Sequence, residues 1–347
     1  MAIQSRGEKA INERYRPLRL SELIGNEKNK KGLMAWMSKG SSRSKALLLA
    51  GASSGGKTTT ARILAMGLNC EKGDTTEPCL ECASCRAALA GTAFHIIEHN
   101  MAELNGKDDA DEIVHTMSER CLTGRNKVYI LDEVQMLTAQ SQNLFLKTLE
   151  SPPPGVYIIL CTTDPDKLIK PLRTRLEPYY YSLPTERDIS ELLHEVTQQE
   201  HIEMSPEDKR TFFDRVQGLS YREILFALEQ FSAGASISEL KTSDGGFDDY
   251  EVIKQILYQG NIQPYLKALE TDRNNIDYEG MRRRMRVMAG TEIERAATTN
   301  LRRAMLYCDV LEMIEERKFF EQNNRPNASA LFWKICQVVK DYNSPKK

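Results

Sequence analysis

Residues 46–58, ALLLAGASSGGKT, restrict this chain to few folds. An apolar run stops at Gly51, a Gly/Ser stretch follows, and Lys57-Thr58 opens a helical pattern with Ala61, Leu64, Ala65 and Leu68 on one face. That order fits G-x-x-x-x-G-K-[ST], where small residues let successive backbone N–H groups wrap a chain of phosphates. Gly51, Ala52, Ser53, Ser54, Gly55 and Gly56 then form the cradle, with Thr59 just beyond it. Lys57 reaches the β- and γ-phosphates of ATP, and the Thr58 hydroxyl binds Mg²⁺. The positive end of the helix dipole acts on the same anion. A plain Gly/Ser turn would explain the composition, but not the strand before it or the acidic motif downstream.

That motif is Tyr129-Ile-Leu-Asp132-Glu133, about 75 residues after Lys57. Asp132, ending a buried strand, would hold Mg²⁺ directly or through water, and Glu133 would polarise the attacking water. Many strands end in acids, so the weight lies in the pairing with Lys57 at this spacing. After the next apolar run, Thr162 and Thr163 offer hydroxyls where the γ-phosphate or its attacking water would lie. Arg173 and Arg175 follow in LRTRLEP. An arginine there can act in trans on a neighbouring subunit's phosphate. The plainer expectation is a surface arginine paired with Glu177.

A cluster of Cys70, Cys79, Cys82 and Cys85 begins within fifteen residues of the phosphate motif, while Cys121, Cys161, Cys308 and Cys336 are dispersed. Two overlapping C-x-x-C steps suit tetrahedral Zn²⁺, and an all-cysteine set leaves no open position for catalysis. An iron–sulfur cluster is the rival, since C-x2-C-x2-C also occurs in ferredoxins. Structural zinc is the simpler reading, because no other redox signature is present.

The segments 94–100, 127–133 and 155–163 are further strand candidates separated by helical stretches, which predicts a parallel α/β sheet covered on both faces. Beyond residue 182 the strands stop. Three helical segments, each opened by a capping-type residue, predict a small helical domain to about residue 240. The division expected is a nucleotide-binding domain over 1–181, a helical domain over 182–240, a polar linker over 241–249 and a second helical domain over 250–347. Within the last, 291–322 reads as one long helix and DYNSPKK as a frayed tail.

The chain has 347 residues, 41% hydrophobic and 28% charged, the balance of a globular protein. No apolar run approaches the ~18 residues that span a bilayer. MAIQSRGEKAINERYRP lacks the apolar core of a signal peptide, so an intracellular protein without membrane contact is expected. With a formal net charge of −2, any nucleic-acid contact must come from a local patch.

With those residues in place, the chain resembles the clamp-loader ATPase subunit of bacterial DNA polymerase III, the gamma/tau type, within the AAA+ superfamily. The likeness runs from ERYRPLRLSELIGNE through GKTTTARILAMGLNC, the cysteine cluster, NKVYILDEVQML, NLFLKTLESPP and CTTDPDKLIKPLRTRL to GLSYREILFALEQ, covering about 13–230. It implies an AAA+ P-loop domain with a zinc insertion at 70–85, a helical lid and a helical collar. Lys57-Thr58 and Asp132-Glu133 correspond to the Walker A and B pairs, Thr163 to sensor 1, Arg175 to the finger and Arg222 to sensor 2. Tyr15, Arg16, Pro17, Ile24 and Gly25 lie where that family cradles adenine. The partners implied are other loader subunits in a pentameric ring, a sliding clamp and primer–template DNA, in a bacterial cytoplasm or a virus-infected bacterial cell.

The chain also departs from the pattern. Ser-Arg-Cys is Thr174-Arg175-Leu176, Asp-Glu-x-His is Asp132-Glu-Val-Gln135, and no long tau-type extension is read. The basic phosphate-contacting segment is replaced by NMAELNGKDDADE, which keeps only Lys107 as a cation. The divergence points to a viral or otherwise non-model replisome. DNA contacts are placed at Asn105, Gly106, Lys107, Gln140 and Ser141, near two helix starts, against the alternative that 103–112 is an acidic solvated loop. Two other functions compete: a catalytically silent subunit of the same loader, and another AAA+ motor such as a branch-migration helicase. The intact Walker residues weigh against the first, and the cysteine insertion with collar-like helices against the second.

Overall fold

The computed structural model describes residues 10–104, 106–117, 124–240, 249–271, 276–316 and 325–344. The chain divides into two compact units, Met1–Glu200 and His201–Lys347. The first contains β1 (Ala46–Gly51), β2 (Ile96–Asn100), β3 (Lys127–Asp132), β4 (Val156–Thr162) and β5 (Glu177–Tyr181). All pairings are parallel, in the order β2-β3-β4-β1-β5. Its helices are α1 (Ile11–Arg14), α2 (Glu27–Ser38), α3 (Lys57–Asn69), α4 (Ala83–Leu89), α5 (Lys107–Met117), α6 (Ala139–Glu150), α7 (Lys170–Arg173) and α8 (Glu186–Gln199).

Alternation along each strand builds two cores. Leu47, Leu49, Val128, Ile130 and Ile159 face Leu33 and Trp36 of α2 and Ala61, Leu64 and Leu68 of α3. Ala46, Leu48, Tyr129, Leu131 and Leu160 face Ile113 and Met117 of α5 and Phe145 and Leu149 of α6. Burial of each such leucine stabilises the sheet by roughly 2 kcal/mol. Central β4 is buried at every position, as a strand covered on both faces must be. The expected parallel sheet is therefore present.

One strand was not expected from the sequence. Among the described residues β5, Glu177–Tyr181, pairs only with β1, and it carries Pro178. Proline has no N–H for a ladder and so reads as a break, yet an edge strand tolerates it. The strands thus end at Tyr181, in line with the expectation that none follows residue 182.

The second unit holds α9 (Pro206–Val216), α10 (Tyr221–Ser232), α11 (Asp249–Lys254), α12 (Gln263–Thr271), α13 (Tyr278–Ala296), α14 (Leu301–Glu316) and α15 (Arg325–Asn343). The capping residues seen in the sequence form full capping boxes: Thr185 with Asp188, Ser205 with Asp208 and Ser220 with Glu223. The expected polar linker lies outside the described residues except for Asp249, which opens α11.

The long helix expected over 291–322 is interrupted. α13 ends at Ala296, and the Asn300 side chain accepts the Arg303 N–H at 3.0 Å to start α14. Thr and Asn compete with the helix for backbone bonds, so Thr298-Thr299-Asn300 make a break where apolar periodicity runs on. α13 and α14 then pack against each other. Of the expected frayed tail, Asp341–Asn343 complete the last turn of α15, and 345–347 lie outside the described residues.

Candidate active site and metal centre

The candidate site lies at the carboxyl ends of β1, β3 and β4, the position at which parallel sheets bind ligands. Gly51 has φ 132°, and a Cβ there would stand 2.0 Å from the Tyr181 carbonyl oxygen. Only glycine fits. Gly56, at φ 98°, is the N-cap of α3 and brings no side chain to its first turn, so those N–H groups are left to an anion. Ala52 and Ser53 lead into Ser54, itself left-handed at φ 52°, and Gly55 N–H bonds back to Ala52 O at 3.2 Å.

Lys57, only 5% exposed, donates to the carbonyls of Gly51 at 3.0 Å and Ala52 at 2.7 Å. Burial pushes its ammonium below the usual lysine range, while the Glu133 and Asp132 carboxylates pull the other way. The Thr58 hydroxyl donates to Asp132 Oδ2 at 2.6 Å, joining two residues 74 positions apart. These are hard oxygen donors of the kind Mg²⁺ takes. Thr59 is half-buried in the first turn of α3.

Glu133 sits just past β3 in the left-handed region, φ 54°, with its N–H on Asp132 Oδ1 at 2.9 Å. Sequence reasoning noted Gln135 only as a departure and missed its place here. Its amide nitrogen donates to Glu133 Oε2 and, at 2.8 Å, to Thr163 Oγ1. Its carbonyl accepts from Thr162 Oγ1 at 2.7 Å. Thr163 Oγ1 lies 3.5 Å from Glu133 Oε2. The one available signal was a polar side chain two positions after Glu133.

The other nominated residues are placed as follows. Ile24 is buried and Gly25 has φ 72°, and the preceding Leu23 meets the space beside Gly56, where a Cβ would stand 3.2 Å from Leu23 Cδ1. Tyr15 is buried, with its hydroxyl donating to Glu200 Oε1 at 2.5 Å, and Arg16 and Pro17 are half-buried beside it in sequence. Arg175 pairs with Glu150 and Arg173 with Asp166 at 3.0 Å, not with Glu177. Arg222 is exposed in the first turn of α10, in the second compact unit.

Of the nucleic-acid candidates, Asn105 lies outside the described residues. Gly106 and the exposed Lys107 start α5, and exposed Gln140 lies in the first turn of α6. Ser141 is fully buried, with its hydroxyl donating to Gly106 O at 3.4 Å, so the two helix starts are adjacent.

The sulfurs of Cys70, Cys79, Cys82 and Cys85 all lie within 4.8 Å of one another, and those of Cys79 and Cys85 are 4.0 Å apart. Tetrahedral Zn–S bonds of ~2.3 Å place sulfurs about 3.8 Å apart, so the set fits a zinc ion. Cys82 N–H points at Cys79 Sγ, and Cys85 N–H at Cys82 Sγ, each at 3.4 Å. Backbone N–H groups of Glu81 and Cys82 bring the Cys79 thiol down to about 6, whereas burial pushes the Cys85 thiol well up. Leu80, at φ 67°, makes the tight bend between the first two ligands of the C-x-x-C pair.

A family described as DNA polymerase III, delta subunit, matches residues 25–182. The DNA polymerase III subunit tau/gamma of Haemophilus influenzae is 33% identical over 266 residues, covering 75% of this chain and 38% of that protein. The chain belongs to the gamma/tau family of DNA polymerase III clamp-loader subunits. The gamma subunit of Buchnera aphidicola is 34% identical over 63% of this chain and 60% of its own length. The match therefore spans less than two thirds of each of these gamma/tau relatives. A solved Thermotoga maritima RuvB aligns at TM-score 0.49 and 21% identity, covering 72% of this chain and 80% of that one. Among the described residues no helix is long and apolar enough to cross a membrane.

Proposed function

We propose that this chain is a catalytically active loader subunit that binds and hydrolyses ATP to open a sliding clamp and place it on primer–template DNA, within a pentameric ring in the cytoplasm. The observation that carries the reading is the 2.6 Å bond between Thr58 and Asp132, which joins the phosphate loop to the acidic strand end as a Mg²⁺–nucleotide site requires. Mg²⁺ bound there would neutralise phosphate charge. Lys57 exchanges its loop carbonyls for the β- and γ-phosphates, Glu133 orients and polarises the attacking water, and Thr163 donates to the γ-phosphate. Tyr15, Arg16, Pro17, Ile24 and Gly25 hold the adenine, and Arg222 is the sensor 2 candidate. Arg175 leaves Glu150 to act on a neighbouring subunit's phosphate.

The four cysteines hold structural Zn²⁺, and the converging starts of α5 and α6 follow the DNA backbone. An intact set of Lys57, Thr58, Asp132 and Glu133 argues against a silent scaffold subunit. The test is steady-state ATPase of the assembled loader, with and without the clamp and a primed junction. Stimulation that requires both supports clamp loading. A rate indifferent to the clamp, or driven by a four-way junction, contradicts it.

A further inference from the structure

Gln135 satisfies every hydrogen-bonding position of its amide within the candidate site. The nitrogen donates to Glu133 Oε2 and Thr163 Oγ1, and the oxygen accepts from Thr162 Oγ1 at 2.7 Å and Thr163 N–H at 3.3 Å. The Thr163 N–H can only donate, so the amide oxygen must face β4 and the nitrogen must face Glu133. Replacing the amide by any group that only accepts breaks two of the four bonds. The arrangement depends on β3 and β4 being neighbours, with Leu131 beside Leu160, so the two strand ends meet.

A consequence follows for the Thr163 hydroxyl. Its oxygen already accepts a hydrogen bond from the Gln135 amide, so its own hydrogen must be donated elsewhere. Glu133 Oε2, at 3.5 Å, is the acceptor present. A γ-phosphate oxygen is a more highly charged acceptor than a carboxylate and would draw that hydrogen away, leaving Glu133 held by Gln135 alone.

We propose that Gln135 is a positioning residue which aims the Glu133 carboxylate and fixes Thr163 as a donor, so that the water-activating group is set only when a γ-phosphate engages Thr163. This rests on the reading of Glu133 as the residue that polarises the attacking water. The amide nitrogen of Gln135 is spent on Glu133 and Thr163. It acts through Glu133 and Thr163.

The test uses the assembled loader with clamp and primed DNA, and four variants: Gln135→Leu, Gln135→Glu, Glu133→Gln and the Glu133→Gln/Gln135→Leu double. Thermal melts confirm that each is folded. Displacing a catalytic group by about 1 Å costs on the order of 10²-fold, so Gln135→Leu should lower kcat by roughly that factor with the KM for ATP unchanged. Gln135→Glu, equal in size but unable to donate to Glu133, should lose at least as much. In the Glu133→Gln background, Gln135→Leu should cost nothing further in single turnover. Wild-type kcat in Gln135→Leu, a change confined to KM, or an additional loss in the double variant would overturn the proposal. If Glu133→Gln itself hydrolyses at the wild-type rate, the function proposed above fails and this inference falls with it. A silent Glu133→Gln with a fully active Gln135→Leu removes this inference alone.

Discussion

Replacing Gly67 by alanine sets two well-defined effects against each other. Gly67 lies near the end of α3, where alanine would ordinarily stabilise a helix by about 1 kcal/mol. Here a Cβ would stand 1.8 Å from the Thr75 carbonyl oxygen and 3.0 Å from its carbon. Both are backbone atoms, so no rotamer change relieves the overlap and the loop must move. Thr75 N–H also bonds Gly67 O at 3.4 Å, a contact that movement breaks. Overpacking of this kind costs about 1–3 kcal/mol, and a lost hydrogen bond about 1 kcal/mol. The net expectation is a destabilisation of about 1–3 kcal/mol, or a fall in Tm of roughly 2–12 °C at ~2–4 °C per kcal/mol for a unit of this size. Thr75 lies between Cys70 and Cys79, so metal content should fall as well. Differential scanning calorimetry with parallel elemental analysis measures both. A Gly67→Ala protein as stable as the parent, or more so, would refute the packing argument.

Three further outcomes follow from the site. Burial lowers the Lys57 pKa in the nucleotide-free protein, whereas bound phosphate favours its charged form, so ATP affinity should fall as pH rises through a value below the ordinary 10.5. Affinity that stays level to pH 10.5, measured by titration on protein shown to remain folded, would contradict this. Cys82→Ser keeps an oxygen able to cap α4, so the helix start survives while a ligand is weakened. Zinc should drop from one per chain and stability with it, and finding iron in the parent protein would remove the claim. Lys107→Glu should leave basal ATPase intact, weaken its stimulation by DNA and give a shallower salt dependence, whereas unchanged stimulation across a salt titration would move the DNA path elsewhere.

The phosphate loop was legible because its chemistry demands particular residues at a fixed, short spacing. Gly51, Gly56, Lys57 and Thr58 fall at that spacing within eight residues. The cysteine set was legible for the same reason. Gln135 was not, since its partners Thr162 and Thr163 lie a strand away and meet it only through the β3–β4 register. The edge strand β5 was hidden by Pro178, whose missing N–H matters only in an interior strand. The break after α13 was hidden because apolar spacing continues across 297–300, where local polar side chains compete with the helix. The arginine pairings with Glu150 and Asp166 needed the tertiary fold, since the sequence offered Glu177 as the nearest acid.

In the proposed function, Glu133 activates water in a Mg²⁺–ATP site built by Lys57, Thr58 and Asp132. Glu133→Gln tests it most directly, because it removes the carboxylate and leaves the nucleotide contacts in place. Paired measurements of ATP binding and of hydrolysis, with clamp and primed DNA present, should show affinity close to the parent and turnover lower by about 10²–10⁴-fold. Wild-type turnover, or loss of ATP binding in a folded Glu133→Gln protein, would rule out that role for Glu133.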